Sequence, residues 1–209
     1  MRMGKLAVVR GNSGQSLVEA VLVTPILLII VLNAINFGYF LLVALNLEAA
    51  PRTGILYSII GSQTPGTTVL PPAAPTGSGT SSSTATNAVT YLTYKDIAGG
   101  LNLSSNAKIQ VCSKSAGVTG TGASQTANCV HCSSWTNLCV TGALAGQSPA
   151  SDPEASTFVL NRVDISYTFR LLIPGTPFGA VLLPSSACSL SGGNISCTIH
   201  RQVSMRAMD

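Results

Sequence analysis

Two cysteines separated by two residues are the part of this sequence whose types and spacing could do chemistry. Cys129-Val-His-Cys132 is a CxxC motif, which in a thioredoxin-like protein cycles between dithiol and disulfide. The surrounding sequence shows neither the strand before the motif nor the strong helix after it that such proteins have. Haem attachment is excluded because Ser133, not histidine, follows Cys132. A membrane-tethered thiol oxidoreductase using Cys129 and Cys132 is therefore kept only as the alternative function.

A zinc site would need the same residues, with Cys139 and His131 as further ligands. No second CxxC or histidine pair completes a standard zinc pattern, and adjacent residues rarely bind one metal. Acid–base catalysis has few candidate residues too, because His131 and His200 are the only histidines. The sequence has no nucleophile-elbow motif and no phosphate-binding glycine loop. We predict a non-enzyme with no metal and no cofactor.

All six cysteines follow the long apolar segment of the chain, and an even number in an exported domain favours disulfides. Cys188 and Cys197 flank Gly192-Gly193-Asn194, a strong turn signal that brings them opposite one another. We predict that these two pair. The other four should pair among themselves in one of three connectivities, and those without a Cys129–Cys132 bond are favoured: Cys112, Cys129, Cys132 and Cys139.

Charged residues are few, and the net positive charge comes from a short segment of the chain. Only 9% of residues are charged, and the net charge of +4 depends on basic residues near the start: Arg2, Lys5 and Arg10. A nucleic-acid interface needs clustered basic residues on the folded domain, whereas here they are scattered. We predict no nucleic-acid partner.

An apolar run from Leu17 to Leu47 contains Glu19 as its only formal charge. About twenty apolar residues span a bilayer as a helix, so this run is long enough for one pass. The basic residues before it predict a cytoplasmic N-terminus and a translocated C-terminal part.

A processing site precedes this run. A basic leader of residues 1–14 ends at Gly14, and Glu19 is the fifth residue after it. A carboxylate inside a membrane helix costs a few kcal/mol unless something compensates it. Cleavage after Gly14 would free the amine of Gln15, which could pair with Glu19 of a neighbouring subunit. The alternative is that Glu19 only extends to the membrane interface.

Three further residues suit a helix that packs against other helices. Pro25 removes one helical hydrogen bond and predicts a kink. Asn33 and Asn36 are three residues apart, share a helix face and could hydrogen-bond to another helix. We predict that all three contribute to assembly, together with Glu19.

The rest of the chain predicts an α+β head. The long N-terminal helix covers residues 15–61, an uncharged Gly/Ser/Thr/Pro linker covers 62–87, and the head covers 88–209. A short amphipathic helix begins at Ala88. Alternating patterns predict a small antiparallel sheet of three or so strands: Ala107–Cys112, Val163–Leu171 and Ile195–Ala207. Between the first two strands, residues 113–157 form a polar loop insertion that disulfides would hold in shape.

The N-terminal residues carry a family resemblance. Gly14-Gln-Ser-Leu-Val-Glu19 through Pro25, then Ile35-Asn-Phe-Gly38-Tyr39 and Asn46 to Gly54, resemble the TadE-like family. Those proteins are minor pilins or pseudopilins of bacterial tight-adherence systems. Two departures from the family pattern are Pro51, which interrupts the usual helical continuation, and the polar Asn33 and Asn36.

The resemblance implies an assembly protein. Its expected function is a minor pilin or pseudopilin that a prepilin peptidase trims and that assembles through its N-terminal helix for pilus biogenesis and surface attachment. Expected partners are other pilins, the prepilin peptidase and the inner membrane. The expected location is a single pass in the bacterial inner membrane, with an extracytoplasmic head that can enter an extracellular pilus. The insertion of residues 113–157 is the expected contact with surfaces or partner subunits.

Overall fold

The computed structural model of the chain describes residues 13–60, 89–97, 106–132, 139–154, 158–173, 188–191 and 194–206. The predicted linker of residues 62–87 and the leader up to residue 12 lie outside the described residues. Glycine and proline predict the ends of two elements, at Gly99-Gly100 after the short helix and at Pro174-Gly175 after the central strand, and both pairs also lie outside the described residues.

The longest element is helix α1, Ser13–Ile60, which has 48 residues and so extends for about 72 Å at ~1.5 Å per residue. Both Pro25 and Pro51 lie inside it. The expectation that Pro51 interrupts the helix is wrong, since the helix continues for nine residues beyond it. Proline removes one backbone hydrogen bond. Burial of the following turns, with Gly54 and Ile55 inside the protein, offsets that loss.

Helix α1 has two segments with different surroundings. The first, which we call the stem, is Leu17 to Ile35, where most side chains are exposed and none is buried. The second, the docked segment, runs from Asn36 to Ile60 and is amphipathic. After Asn36, its buried positions recur every three or four residues from Val43 onwards, as in a helix with one face against a core: Val43, Leu47, Ala50, Gly54 and Ser58.

The docked segment and a short helix, α2 (Val89–Ile97), cover one face of a six-stranded antiparallel sheet. The strands lie in the order β3-β2-β1-β4-β6-β5. Their bounds are β1 Ala107–Thr119, β2 Thr126–Cys132, β3 Cys139–Thr141, β4 Leu160–Arg170, β5 Cys188–Ser191 and β6 Asn194–Arg206. The structure therefore confirms the predicted α+β class, with more strands than the three or so expected.

The core lies between the two helices and the sheet face that they cover, which we call the inner face. Strand β4 contributes Val163, Ile165, Tyr167 and Phe169, all buried, and this confirms the predicted alternation. Phe169 contacts two rings of α1, with centroid distances of 5.6 Å to Tyr39 and 5.4 Å to Phe40. Helix α2 adds Tyr94 and Ile97 to the same core.

The segment predicted as a loop insertion, residues 113–157, is partly sheet. Strand β1 continues to Thr119, and the chain returns as β2 and β3 to extend the sheet on that side. A bulge between Ser113 and Val118 interrupts the pairing of β1 with β2, and Gly117 within it has a φ of 103°, which favours glycine. Glycine, serine and threonine obscure the alternation here, so the sequence pattern does not separate these strands from a loop.

Candidate functional site

The stem of α1 is the candidate functional surface, because nothing in the described head covers it. Its 19 residues, Leu17 to Ile35, extend for about 28 Å, close to the ~30 Å thickness of a bilayer hydrocarbon core. By length and composition alone the candidate span is longer, Leu17–Ile59, and an 18-residue window within it has a mean hydropathy of 2.5. The docked segment packs on the sheet. Only the stem can therefore face lipid on all sides.

Glu19 lies exposed near the start of the stem. It is the only formally charged residue between Leu17 and Ile35. Helix α1 already includes Gly14 and Gln15, so the predicted cleavage point lies in helical backbone. Gln15 and Glu19 are four residues apart, which places them on one helix face. The geometry is compatible with a pairing of the Gln15 amine and a Glu19 carboxylate between neighbouring copies, and processing and pairing both stay predictions.

The two asparagines of the predicted assembly set have partners inside the chain. The Asn33 amide donates to the carbonyl oxygen of Ile29, one turn earlier, at 2.7 Å. Asn36 is fully buried, donates from Nδ2 to the carbonyl oxygen of Ile173 at 3.1 Å and accepts from the Ile173 N–H at 3.0 Å. The contact with Ile173 is one that sequence reasoning missed, because 137 residues separate the two. Roles of Asn33, Asn36 and Pro25 in helix–helix assembly stay predictions.

Side-chain contacts also fix the docked segment to the head. The Thr53 hydroxyl donates to Asp96 of α2 at 2.6 Å. Glu48 forms an ion pair with Arg201 of β6, at 3.5 Å. Arg201 is the exception in the apolar alternation of β6, and its place beside Glu48 explains the charge at that position.

The sheet face opposite the helices, the outer face, carries a polar cluster that the sequence did not predict. Asp164 is fully buried there, although it alternates with the apolar residues of β4 and lies on the polar face of that strand. It accepts hydrogen bonds from Arg162 at 2.7–2.9 Å, from Gln110 at 2.9 Å, and lies 3.1 Å from Nε2 of His200. The loop of residues 144–148 closes over the cluster.

Three hydrogen bonds hold that loop. Gln110 accepts from the N–H of Leu144 and donates to the carbonyl oxygen of Gln147 at 2.8 Å. Arg162 donates to the carbonyl oxygen of Ser148 at 2.9 Å. Both carboxylate oxygens of the buried Asp164 therefore have hydrogen-bond donors. This is the arrangement of a structural ion pair.

Three disulfides staple neighbouring strands. Cys112–Cys129 joins β1 to β2, Cys132–Cys139 joins β2 to β3, and Cys188–Cys197 joins β5 to β6. The pairing of Cys188 with Cys197 is the one that the turn between them predicts. The first two bonds are among the connectivities that avoid a Cys129–Cys132 bond.

This pairing bears directly on the CxxC motif. Cys129 and Cys132 are three residues apart on a strand, so their side chains point to opposite sheet faces. Each is bonded to another cysteine and is almost completely buried. An oxidoreductase needs an exposed thiolate of low pKa, and this arrangement does not provide one. Among the described residues no cluster of His, Cys, Asp and Glu could hold a metal ion.

Three groups of the described head have clearly shifted pKa values: Tyr94, Tyr167 and Arg206. Burial, and then the hydrogen bond with Tyr39, raise the pKa of Tyr167. Burial raises the pKa of Tyr94, whose hydroxyl donates to the carbonyl oxygens of Ala107 at 3.0 Å and Cys132 at 3.3 Å. Hydrogen bonds to Asp152 and Glu154 raise the pKa of Arg206 further above its usual range. Arg206 thereby ties the end of β6 to the loop before β4.

Comparison with known proteins places the similarity on α1. The family model described as TadE-like protein matches residues 14–55, which are 42 of the chain's 209 residues. The match contains Glu19, Pro25, Asn33 and Asn36, and it ends where α1 crosses α2. No curated protein and no solved structure matched the chain.

Proposed function

From the match of residues 14–55 to the TadE-like family, we propose that this chain is a minor pilin or pseudopilin of a tight-adherence pilus. In this proposal a prepilin peptidase removes residues 1–14, the stem holds the protein in the bacterial inner membrane, and α1 then assembles with the helices of other pilins. One observation carries the proposal. A single continuous helix has an exposed apolar stem and a docked segment that supports a disulfide-bonded head.

The stem explains why one helix suits both membrane storage and a fibre. Burying a leucine or isoleucine side chain is worth about 1.5–3 kcal/mol, so a stem exposed to water is strongly unfavourable. Lipid chains and the apolar helices of neighbouring subunits are equally good environments by this measure. The stem can therefore leave one environment for the other at little net cost.

Glu19 supplies the selectivity that apolar contact lacks. In lipid its carboxylate is costly, and an amine of a neighbouring subunit compensates it only in an assembly. Cleavage after Gly14 would place a new amine one helical turn from Glu19. The basic leader, with the head on the other side of the stem, supports a cytoplasmic N-terminus and an extracytoplasmic head.

The rival function receives no support from the geometry. Cys129 and Cys132 lie in two different disulfides, each between neighbouring strands. All six cysteines are paired between neighbouring strands, and this supports an exported disulfide-bonded head over a thiol oxidoreductase.

The experiment is the mass of the mature protein after coexpression with a prepilin peptidase. Loss of residues 1–14 with a free or methylated amine on Gln15 is expected. Gly14→Leu should abolish the loss, whereas Gly11→Leu, a matched change within the leader, should not. A mature N-terminus at Met1, or one beyond Leu47, would contradict the proposal.

A further inference from the structure

The turn that follows β4, residues 171–173, exposes an apolar side chain in an unusual place. Leu172 is 59% exposed, more than any other large hydrophobic residue of the described head. Its neighbour Leu171 is half-buried and packs against the core. A leucine in such a position loses the benefit of burial unless a partner covers it.

Asn36 fixes the position of this turn relative to α1. Its side chain makes both an N–H···O and an O···H–N bond to the backbone of Ile173, at 3.1 and 3.0 Å. Since Asn36 is fully buried, neither bond competes with water. The turn is therefore held beside the first residue of the docked segment.

That position corresponds to a definite depth. The stem ends at Ile35, one residue before Asn36, and its length of about 28 Å matches the bilayer hydrocarbon core. When the stem spans a membrane, Asn36 and the turn bonded to it lie at the boundary between hydrocarbon and headgroups. Leu172 is then next to lipid rather than water.

The residues around Leu172 have the composition of a membrane interface. Arg170 is exposed immediately before the turn, and Phe37 is 44% exposed immediately after Asn36. Basic side chains bind lipid phosphates, while leucine and aromatic side chains enter the acyl boundary. Arg170 and Leu172 together offer both chemistries within three residues.

We propose that residues 170–173 form a second membrane contact, whose partner is the headgroup region of a bilayer that contains anionic lipid. This contact restrains the tilt of the head while the protein is stored in the membrane. The inference rests on the proposed membrane storage, and it adds a lipid-binding surface outside α1. On assembly the same turn would leave the lipid together with the stem.

The test measures depth in vesicles of phosphatidylcholine and phosphatidylglycerol. The full-length protein carries Trp135→Phe, which removes its only tryptophan, and one new tryptophan at a chosen site. Lipids with brominated acyl chains quench tryptophan fluorescence only at short range. The sites are Leu172→Trp, Val140→Trp as a control of similar exposure on β3, and Leu27→Trp in the stem.

We expect Leu172→Trp to be quenched about twofold more than Val140→Trp by lipids brominated near the headgroups, as for interfacial tryptophan. Leu27→Trp should respond to deeply brominated lipids. If Leu27→Trp is quenched and Leu172→Trp is quenched no more than Val140→Trp, the inference is overturned while membrane storage stands. If Leu27→Trp is not quenched, membrane storage itself fails. Leu172 is exposed, so this substitution leaves the core intact.

Discussion

Gly54 of α1 lies directly against Thr93 of α2, so closely that a Cβ at position 54 would overlap the threonine hydroxyl. Thr93 is fully buried, and its hydroxyl donates to the carbonyl oxygen of Val89 at 2.8 Å. The threonine therefore has no room to move aside. The crossing of the two helices depends on the missing side chain of Gly54.

Replacement of Gly54 should thus weaken the head. Gly54→Val is expected to lower the free energy of unfolding by about 1–3 kcal/mol, because overpacking outweighs the gain in helix propensity. Gly38→Val is the matched control, since no atom lies within 4 Å of a Cβ at that glycine of the same helix. Urea unfolding in detergent measures both. Equal unfolding midpoints for the two variants would contradict the predicted close contact.

The buried carboxylate of Asp164 should matter far more than an exposed one. Asp164→Ala leaves the guanidinium of Arg162, whose side chain is only 12% exposed, without its partner. Removal of one member of a buried ion pair costs about 3–5 kcal/mol. Glu48→Ala breaks the exposed pair with Arg201 and should cost about 1 kcal/mol or less. Chemical unfolding distinguishes them, and a similar loss in both variants would mean that Asp164 is not buried in an ion pair.

Alkaline pH should destabilise the head through Tyr94. Its pKa is raised by burial above the ordinary value near 10, so the folded state holds the phenol proton more tightly than the unfolded state. The contribution of Tyr94 to the free energy of unfolding is then constant below pH ~10 and falls as pH rises above it. Tyr94→Phe should make that decline shallower. Tyr91→Phe, on the same helix, controls for loss of a phenol, and an unchanged slope in Tyr94→Phe would refute the assignment.

The disulfides should differ in how much each one stabilises the head. Peptide mapping without reductant should recover the three pairs of the structure and no Cys129–Cys132 peptide. Replacing Cys112 and Cys129 by alanine should cost about 3 kcal/mol, against ~2.4 kcal/mol for Cys132 and Cys139, because the chain-entropy model depends on a separation of 17 rather than 7 residues. Labelling of any cysteine by iodoacetamide without denaturant would count against this framework.

Glu19 should act in assembly and not in insertion. Glu19→Ala is expected to enter the membrane at least as well as the natural protein, because it removes a charge from an apolar helix. Its co-purification with partner pilins should fall sharply. Val18→Ala, the neighbouring truncation without a change in charge, should assemble normally. Equal assembly of Glu19→Ala and the natural protein would show that the carboxylate only extends to the interface.

Patterns over a few neighbouring residues predicted strand β4 and one disulfide correctly. The alternation Val163, Ile165, Tyr167 and Phe169 predicted β4, because one face of that strand packs on the helices. The turn between Cys188 and Cys197 predicted their bond, since a hairpin of that length leaves few other partners.

Contacts between distant residues were beyond those patterns. The hydrogen bonds of Asn36 with the backbone of Ile173, 137 residues away, could not be predicted from the sequence around Asn36. Asp164 sat in a polar alternation typical of an exposed face, and only the loop of residues 144–148 makes it buried. In both cases burial depends on a segment whose position the local sequence does not encode.

The position of β6 in the sheet sets an order of events during synthesis. This strand, Asn194–Arg206, pairs with β4 along eleven residues and contacts α1, so it is internal to the sheet although it follows the other described strands in sequence. Contacts of such long sequence separation form late, after their loop-closure entropy has been overcome. The docked segment of α1 is therefore synthesised well before β6, and its buried face, with Leu47 and Ile55, is not fully covered until that strand joins the sheet. During that interval the partly folded chain exposes apolar surface and is prone to aggregate.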